Sequence, residues 1–129
     1  MNDVTASLRV RMSAADAHYG GGLVSGAAIV ALWHDVATEL SIRNDGDEGL
    51  FAGYSSIEFL QPVRTGDFIE ATGKIVGVGN TSREMSFEAF RYARATPGLS
   101  DSAAAMVEPP EIVARATGTC VVKKGEQRR

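Results

Sequence analysis

A chain of 129 residues, 44% of them apolar and 22% charged, has the length and composition of one globular domain. Its formal net charge of −3, without a basic patch interleaved with aromatic residues, argues against nucleic acid as a partner. The single cysteine, Cys120, excludes an intrachain disulfide, and no Cys/His cluster predicts a metal site. We therefore expect a cytoplasmic protein, with no membrane-spanning segment because its longest apolar run is short and interrupted by charges.

The first predicted element is a half-buried strand over Val4 to Met12, where apolar and polar side chains alternate. A turn region follows over Ser13 to Gly22. It places Asp16, His18 and Tyr19 beside three consecutive glycines. Such a turn in front of a helix can present free backbone N–H groups and a partial positive charge, which suit a carbonyl oxygen or an anion.

The next predicted element is a long helix from about Leu23 to about Arg43. It is apolar on nearly all sides, which predicts that it is buried. Polar groups on a buried helix are costly unless they are paired or used, and this helix carries His34, Asp35 and Glu39. The sequence Asn44-Asp45-Gly46 is expected to end the helix, because these residues tolerate the left-handed backbone of a C-cap.

The rest of the chain is predicted to form strands joined by turns. Apolar and β-branched runs predict strands over Leu50 to Leu60, Phe68 to Val78, Ser82 to Arg94 and Ile112 to Lys123. The remaining segments are a hairpin turn at Gly79-Asn80, an irregular insertion over Thr96 to Pro110 and a polar, solvated tail over Gly125 to Arg129.

The order of one strand, a long helix and four more strands predicts an α+β fold. Most connections are too short for parallel crossovers, so we expect one antiparallel sheet that curves around the helix. This is the hot-dog fold, in a single domain over residues 1–129. One sheet leaves its edges and part of one face uncovered, so we expect a homodimer or a higher oligomer of dimers.

Short motifs that follow one another along nearly the whole chain resemble one enzyme family. They include Met12-Ser-x-x-Asp16-Ala-His18-Tyr19-x-Gly21, Asp35-Val36-x-Thr38-Glu39-Leu40, Tyr54-x-x-Ile57-Glu58-Phe59, Glu108-Pro109-Pro110 and Arg115-Ala116-Thr117-Gly118. Together they resemble the β-aminoacyl-CoA ammonia-lyases of amino-acid fermentation, hot-dog enzymes that act on 3-aminobutyryl-CoA or β-alanyl-CoA. The resemblance implies a C–N lyase that releases ammonia and yields crotonyl-CoA or acryloyl-CoA, with no cofactor because CoA is part of the substrate.

The reaction that this resemblance implies sets three chemical requirements. Elimination needs a base for the α-proton, hydrogen-bond donors for the enolate-like thioester oxygen, and a carboxylate for the ammonium group. His18 or Asp16 is the candidate base, and Tyr19 is a further catalytic candidate. The backbone N–H groups of Gly21 and Gly22 are the candidate donors, because glycine allows a close approach to the backbone.

The candidate carboxylates are Asp35 and Glu39, which share one helix face at positions i and i+4. In a hot-dog dimer the loop of one subunit typically meets the helix of the other, so we pair His18 with Asp35 across the interface. The resemblance to hot-dog thioesterases leaves His34 as an alternative to Asp35. Glu39 has an alternative role at the interface, paired with an arginine such as Arg115.

Further residues are candidates for substrate binding. Glu58 either contacts the substrate or faces solvent from its strand. The two prolines after Glu108 fix the path of that segment and can aim its carboxylate at the site. The hairpin end rich in N–H and hydroxyl donors is the expected CoA contact, with the arginine for a phosphate: Asn80, Thr81, Ser82 and Arg83.

Two helix positions differ from the family pattern, which has Asn or Asp where this chain has Ser25 and Gly where it has His34. The acyl group therefore stays open, and side-chain volume near Trp33 and Ser25 is expected to set its size. Three other functions remain as alternatives on the same fold: an acyl-CoA thioesterase, an enoyl-CoA hydratase and a non-catalytic CoA-binding protein.

Overall fold

A computed structural model describes residues 3–129 and shows a five-stranded antiparallel sheet that curves around one long helix. The elements are β1 (Thr5–Arg11), β2 (Ala17–Tyr19), β3 (Leu23–Val24), α1 (Gly26–Asp45), β4 (Leu50–Phe59), β5 (Phe68–Val78), β6 (Ser82–Ala95) and β7 (Ala104–Val121). The sheet has the order β1-β5-β6-β7-β4, and β2 and β3 form a separate small hairpin. The predicted α+β hot-dog fold is confirmed.

The core lies between the inner face of the sheet and one face of α1. Its largest fully buried side chains include Trp33, Leu40, Ile69, Met85 and Phe87. Gly73 allows the helix to approach β5, since a Cβ atom at that position would lie 2.7 Å from the Val36 Cγ1 atom. Close packing at this point fixes the position of α1 on the sheet.

The helix begins three residues later than predicted, at Gly26 rather than Leu23. Ser25 is the N-cap, and its Oγ accepts a hydrogen bond from the Ala27 amide at 3.1 Å. Leu23 and Val24 instead form β3, because their backbone pairs with the preceding loop. The helix ends where a C-cap was predicted, at Gly46, which has a φ of 69°.

The prediction that α1 is buried on nearly all sides is wrong for the single chain. One face is buried, with residues at helical spacing that include Ile29, Trp33, Val36 and Leu40. The opposite face is open to solvent and carries His34 and Asp35 among others. The sheet curves around only part of the helix, so the opposite face has no partner within one chain.

The second part of the segment predicted to be an irregular insertion, from Ala104 onward, belongs to a strand. β7 begins at Ala104 and pairs with β6 on both sides of a bulge, since Glu111 pairs with Arg91 while Met106 pairs with Ala93. Residues 107–110 form the bulge, which contains the two prolines that cannot donate ladder hydrogen bonds. The bulge therefore accommodates a sequence that suggested a break in the sheet.

The C-terminal tail is polar and mostly exposed, as predicted, but it is also hydrogen-bonded to the rest of the chain. The Arg128 amide donates to the Asp45 carbonyl at 2.8 Å, and its guanidinium pairs with Asp47 at 2.9 Å. The Gln127 amide group donates to the carbonyls of Asn80 and Val122. The tail therefore ties the end of α1 to the hairpin between β5 and β6.

None of the helices formed by residues 3–129 has the length and apolar character that crossing a membrane requires.

Candidate active site

An apolar cavity of about 390 Å³ lies at the N-terminal end of α1. Its walls come from β3, the first turn of α1, the end of β4 and the middle of β7. Ser25 lines this cavity, as the sequence suggested for acyl-group selection, whereas Trp33 does not and is fully buried in the core. The lining residues are Tyr19, Leu23, Val24, Ser25, Gly26, Ala27, Ile29, Phe59, Gln61, Pro62, Val63, Val113 and Ala114.

The three glycines form a turn beside the cavity rather than the start of the helix. Gly21 and Gly22 have φ values of 74° and 75°, a backbone conformation that strongly favours glycine. The Gly22 carbonyl accepts from the Thr65 amide at 2.9 Å, and the Gly21 carbonyl accepts from Arg64 Nη1 at 3.1 Å. Gly21 and Gly22 are separated from the helix by β3 and Ser25, which corrects the expectation that their N–H groups are those of the helix start.

The N–H groups at the helix start belong to the first turn of α1. Ser25 occupies the amides of Ala27 and Ala28, through its Oγ and its carbonyl respectively. The Gly26 amide donates to no protein acceptor within the described residues 3–129. A helix N-terminus leaves such donors free and carries a partial positive charge, so Gly26 presents a donor at the edge of an apolar cavity.

The Phe59 ring covers this end of the helix. A Cβ atom on Gly26 would lie 2.6 Å from the ring, so only glycine fits without a shift. Phe59 is 55% exposed even though it is aromatic. Gly26, Phe59 and Gln61 are site residues that the sequence did not single out, although a Ser-Gly pair before a helical run is a signal for an N-cap and a first helical residue.

Tyr19 is an exposed residue of the cavity wall, and His18 lies against it. The two rings meet edge to face with centroids 4.7 Å apart. Both side chains are exposed, Tyr19 to 58%. The structure therefore places these two predicted catalytic residues beside the helix start, with His18 outside the cavity wall.

Asp16 makes hydrogen bonds that stabilise the loop, which argues against its role as the catalytic base. Its Oδ2 atom accepts from the Ser13 amide at 2.7 Å and from the Ser13 hydroxyl at 3.2 Å. Its backbone carbonyl accepts from the Ser25 amide at 3.2 Å. Asp16 thus closes the loop and fastens it to the N-cap of α1.

Asp35 and Glu39 lie farther along the helix and do not line the cavity. Asp35 is exposed and follows Ser25 by ten residues, which is about 15 Å of helix axis. Within one chain it is therefore not brought to His18. Within one chain the Glu39 carboxylate pairs with Arg43 Nε at 2.8 Å; its alternative role at an interface, paired with an arginine such as Arg115, stays a prediction.

His34 is exposed and lies against two aromatic residues that follow the helix. Its ring centroid is 4.9 Å from that of Phe51 and 5.8 Å from that of Tyr54. The Tyr54 hydroxyl is buried and has no hydrogen-bond partner within residues 3–129. Burial raises the pKa of Tyr54 to about 12, so this phenol stays protonated at neutral pH.

Glu58 and Glu108 are both exposed, and neither lines the cavity. Glu58 pairs with Arg115 Nε at 2.8 Å, and this hydrogen bond holds the pKa of the Glu58 carboxyl below its usual value. The same contact raises the pKa of Arg115. Glu108 lies in the bulge of β7, so its aim at a site within the same chain stays a prediction.

The predicted CoA contact over residues 80–83 lies at the other end of the helix. Arg83 Nε and Nη2 bind the two oxygens of Asp45, the last residue of α1, at 2.8 Å each. Arg83 Nη1 donates to the carbonyls of Gly79 and Ser82. Arg83 is only 3% exposed, which corrects its assignment as a phosphate ligand; Asn80, Thr81 and Ser82 remain near the surface.

Within residues 3–129, no three His, Cys, Asp or Glu side chains are grouped so that they could hold a metal ion.

Comparisons with known proteins agree with this geometry. Residues 21–97 match the family model of the thioesterase superfamily. The chain is 56% identical to the 3-aminobutyryl-CoA ammonia lyase of Acetoanaerobium sticklandii over 122 residues, which are 95% of this chain and 97% of that protein.

Solved structures give the same result. The β-alanyl-CoA:ammonia lyase from Clostridium propionicum superimposes with a TM-score of 0.94 at 45% identity, covering 99% of this chain and 91% of that one. An acyl-CoA hydrolase from Staphylococcus aureus, in complex with butyryl-CoA and CoA, superimposes with a TM-score of 0.75 at 16% identity, over 97% of this chain and 66% of that one. The second similarity shows the shared fold only. The chain therefore belongs to the thioesterase superfamily and, within it, to the β-aminoacyl-CoA ammonia-lyases.

Proposed function

We propose that this protein eliminates ammonia from a β-aminoacyl-CoA to give the enoyl-CoA, with the acyl group bound in the cavity at the start of α1. The observation that carries the proposal is an apolar cavity whose edge presents a free helix N-terminal amide and whose wall includes Tyr19, against which the exposed His18 imidazole packs. The family membership of the chain supports the reaction class. The cavity walls are mainly apolar, which favours an acyl group with a methyl substituent, 3-aminobutyryl, over β-alanyl.

The proposed chemistry assigns one protein group to the α-carbon and another to the thioester oxygen. His18 removes the α-proton, and the Gly26 amide donates to the thioester oxygen as negative charge develops there. The electron pair of the broken C–H bond then forms the C=C bond. The C–N bond breaks, and its electron pair leaves with ammonia. Proton transfer from His18 to solvent or to ammonia restores the base. Tyr19 is proposed to orient the imidazole through their edge-to-face contact.

A second copy of the chain is proposed to complete the site. Asp35 is exposed and follows Ile29, a helix residue of the cavity wall, by six residues, which is about 9 Å of helix axis, so another subunit is proposed to bring such a carboxylate to His18. We propose that two copies pair through β4, which is an edge strand of ten residues. Its exposed apolar residues, Leu50 at 77%, Phe59 and Ile57, are what an edge strand normally avoids unless it is covered.

Two further expectations remain proposals. We propose that catalysis uses side chains and backbone groups alone, without a cofactor, because the CoA moiety arrives with the substrate. We also propose a cytoplasmic location, which the single buried cysteine supports.

The reaction is tested by incubating the purified protein with crotonyl-CoA and ammonium, and with acryloyl-CoA and ammonium in parallel. We expect loss of the enoyl absorbance and an ammonia adduct by mass spectrometry, without release of free CoA thiol. Free thiol would identify a thioesterase, a water adduct would identify a hydratase, and unchanged thioester that still binds would identify a non-catalytic protein. Any of those three results contradicts the proposal.

The site residues are tested by His18→Ala and Asp35→Asn, with His34→Ala as the matched variant for the alternative assignment. Loss of a positioned base is expected to lower kcat by about 10²- to 10⁴-fold in His18→Ala. Mixing the His18→Ala and Asp35→Asn proteins is expected to restore part of the activity, because mixed dimers contain one intact pair. Near-normal turnover in both single variants rules out the pairing.

A further inference from the structure

Three of the four arginines without a carboxylate partner among residues 3–129 lie at one end of the sheet, and the fourth is Arg129 in the C-terminal tail. Arg11 ends β1, Arg64 lies in the loop before β5, and Arg94 is near the end of β6. None of the three has a carboxylate partner among residues 3–129. The arginines that do have such a partner are Arg9, Arg43, Arg83, Arg91, Arg115 and Arg128.

We propose that these three residues, the arginine cluster, bind the phosphate groups of the CoA thioester whose acyl group enters the neighbouring cavity. This inference rests on the proposed function for the identity of the thioester. It replaces Arg83, which the structure buries, with cations that are open to an anion. Guanidinium groups bind phosphate oxygens through paired, charge-assisted hydrogen bonds, and the phosphates of CoA distinguish it from a simple thioester.

The cluster is next to the acyl cavity. Arg64 and Arg94 line a depression of about 320 Å³ whose wall includes Pro62, and Pro62 also lines the acyl cavity. Arg11 lines a second depression that shares Ala95 with the first. A ligand can therefore extend from the helix start across Pro62 to the arginines within one chain.

The carboxylates beneath the cluster are paired with Arg91 and form no ion pair with the three arginines of the cluster. Arg91 lines the same depression, but its guanidinium binds Asp67 at 3.0 Å, Glu111, and the Pro62 carbonyl at 2.7 Å. The acid nearest in sequence to Arg11 is Asp16, whose Oδ2 is occupied by Ser13. The network around Arg91 thus forms the floor of the depression, and its excess of one carboxylate is outweighed by the three cations of the cluster.

The existing contacts of the three arginines leave most of their donors available. Arg64 makes one recorded hydrogen bond, from Nη1 to the Gly21 carbonyl. The Arg11 guanidinium lies 5.2 Å from the centroid of the Phe68 ring, a contact that orients it without using its N–H groups. Because Arg64 also holds the glycine turn, it is a poor residue for a selective test, whereas Arg94 and Arg11 are suitable.

The test compares Arg94→Gln with Arg9→Gln, which changes an exposed arginine on β1 whose charge is already paired with Glu70. Two substrates are used: crotonyl-CoA and crotonyl-pantetheine, which has the same acyl group without the nucleotide phosphates. For Arg94→Gln we expect KM for crotonyl-CoA to rise about tenfold with kcat nearly unchanged, and KM for crotonyl-pantetheine to stay at the wild-type value. KM of Arg94→Lys for crotonyl-CoA is expected to lie between the values of the wild type and Arg94→Gln. Arg11→Gln provides an independent second variant.

Equilibrium binding separates this inference from the proposed function. The Kd of free CoA, measured by calorimetry, needs no turnover, and we expect it to rise about tenfold in Arg94→Gln and to depend less on salt than in the wild type. If the wild type binds CoA but has no lyase activity, the proposed function fails. The Kd of the variant still shows whether the arginine cluster binds the CoA phosphates.

Several outcomes would overturn the inference. One is a folded Arg94→Gln and a folded Arg11→Gln that both bind CoA like Arg9→Gln. Another is an equal rise in KM for both substrates, which would indicate a general disturbance of the site. A third is CoA binding that is weakened in Ser82→Ala but unchanged in Arg94→Gln, which would assign the phosphates to the distant hairpin.

Discussion

The two ends of α1 have opposite kinds of surroundings. At the C-terminal end, Asp45 and Arg83 form a buried, doubly hydrogen-bonded ion pair, and the chain terminus is fastened over it. At the N-terminal end, the Gly26 amide has no acceptor in the part of the chain that the structure describes, and an apolar cavity opens beside it. Polar groups are satisfied where the fold is fastened and left available where a ligand can use them.

This difference shows why an arginine in a donor-rich turn was a poor guide to the ligand site. Arg83 has the residue type and neighbours of a phosphate ligand, but its partner is Asp45, which lies 38 residues away in sequence. Arg94 has no motif around it, yet it is open and unpaired within residues 3–129. Availability of a charge depends on its partners, and these are set by the fold.

The largest expected effect tests whether the C-terminal end of α1 is structural. Arg83→Met leaves the Asp45 carboxylate buried without a counter-ion, so we expect a loss of about 3–5 kcal/mol in the free energy of unfolding, measured by urea denaturation. Arg115→Met, which breaks an exposed pair, is the control and is expected to change stability far less. A loss in Arg83→Met as small as in the control would show that the buried pair is not a fastening point.

The next effect concerns the C-cap of the same end. Gly46→Ala places a side chain at a φ of 69° and within 3.3 Å of the Arg128 Cβ atom, so we expect a loss of about 1–2 kcal/mol. Lyase kcat/KM is expected to stay near that of the wild type at a temperature where both are folded. A selective loss of activity in a stable Gly46→Ala protein would break the separation between the two ends.

A smaller loss of stability with a clear loss of activity is expected at the helix start. Ser25→Ala removes the N-cap hydrogen bond to the Ala27 amide, which costs about 1 kcal/mol of stability. It also loosens the first helical turn, which positions the Gly26 amide. We therefore expect kcat to fall by more than the lower fraction of folded protein explains. Ser25→Thr keeps the capping hydroxyl and is the control. Unchanged kcat in Ser25→Ala would argue against a catalytic role for this helix turn.

The smallest effect is confined to acid pH. The hydrogen bonds from Arg83 hold the pKa of the Asp45 carboxyl below its ordinary value of 3.8. The folded state therefore binds this proton less readily than the unfolded state, and the pair's contribution is complete above about pH 5 and lost as pH falls through the folded pKa. We expect the stability difference between wild type and Asp45→Asn to narrow below pH 4. A constant difference down to pH 2 would contradict this assignment.

Sequence patterns located the strands well and the side-chain partners poorly. The bounds of β5 were predicted correctly because its turns are marked by Gly66-Asp67 and Gly79-Asn80. The start of α1 was misplaced because Leu23 and Val24 continue the apolar pattern of the helix while pairing as a strand. Proline at 109 and 110 suggested a break in a segment that the sheet accommodates as a bulge.

Of the residues that sequence patterns proposed for the site, those close to the helix start in sequence lie nearest the cavity. Tyr19 lines it, and His18 contacts Tyr19 from outside the wall. Phe59 and Gln61 reach the cavity from β4 and the loop after it, a contact over more than 30 residues that no local pattern encodes. The proposed pairing of Asp35 with His18 involves a second chain, whose position depends on packing between surfaces and not on a local sequence pattern.

Hydrogen–deuterium exchange of the wild-type protein, with and without crotonyl-CoA and in the absence of ammonium, tests most directly whether the ligand binds at the start of α1. We predict slower exchange of the backbone amides in residues 18–28 and 60–66 when crotonyl-CoA is bound, and no change in residues 79–84. Protection confined to residues 79–84, with none at the helix start, would contradict the assignment of the cavity as the acyl-CoA site.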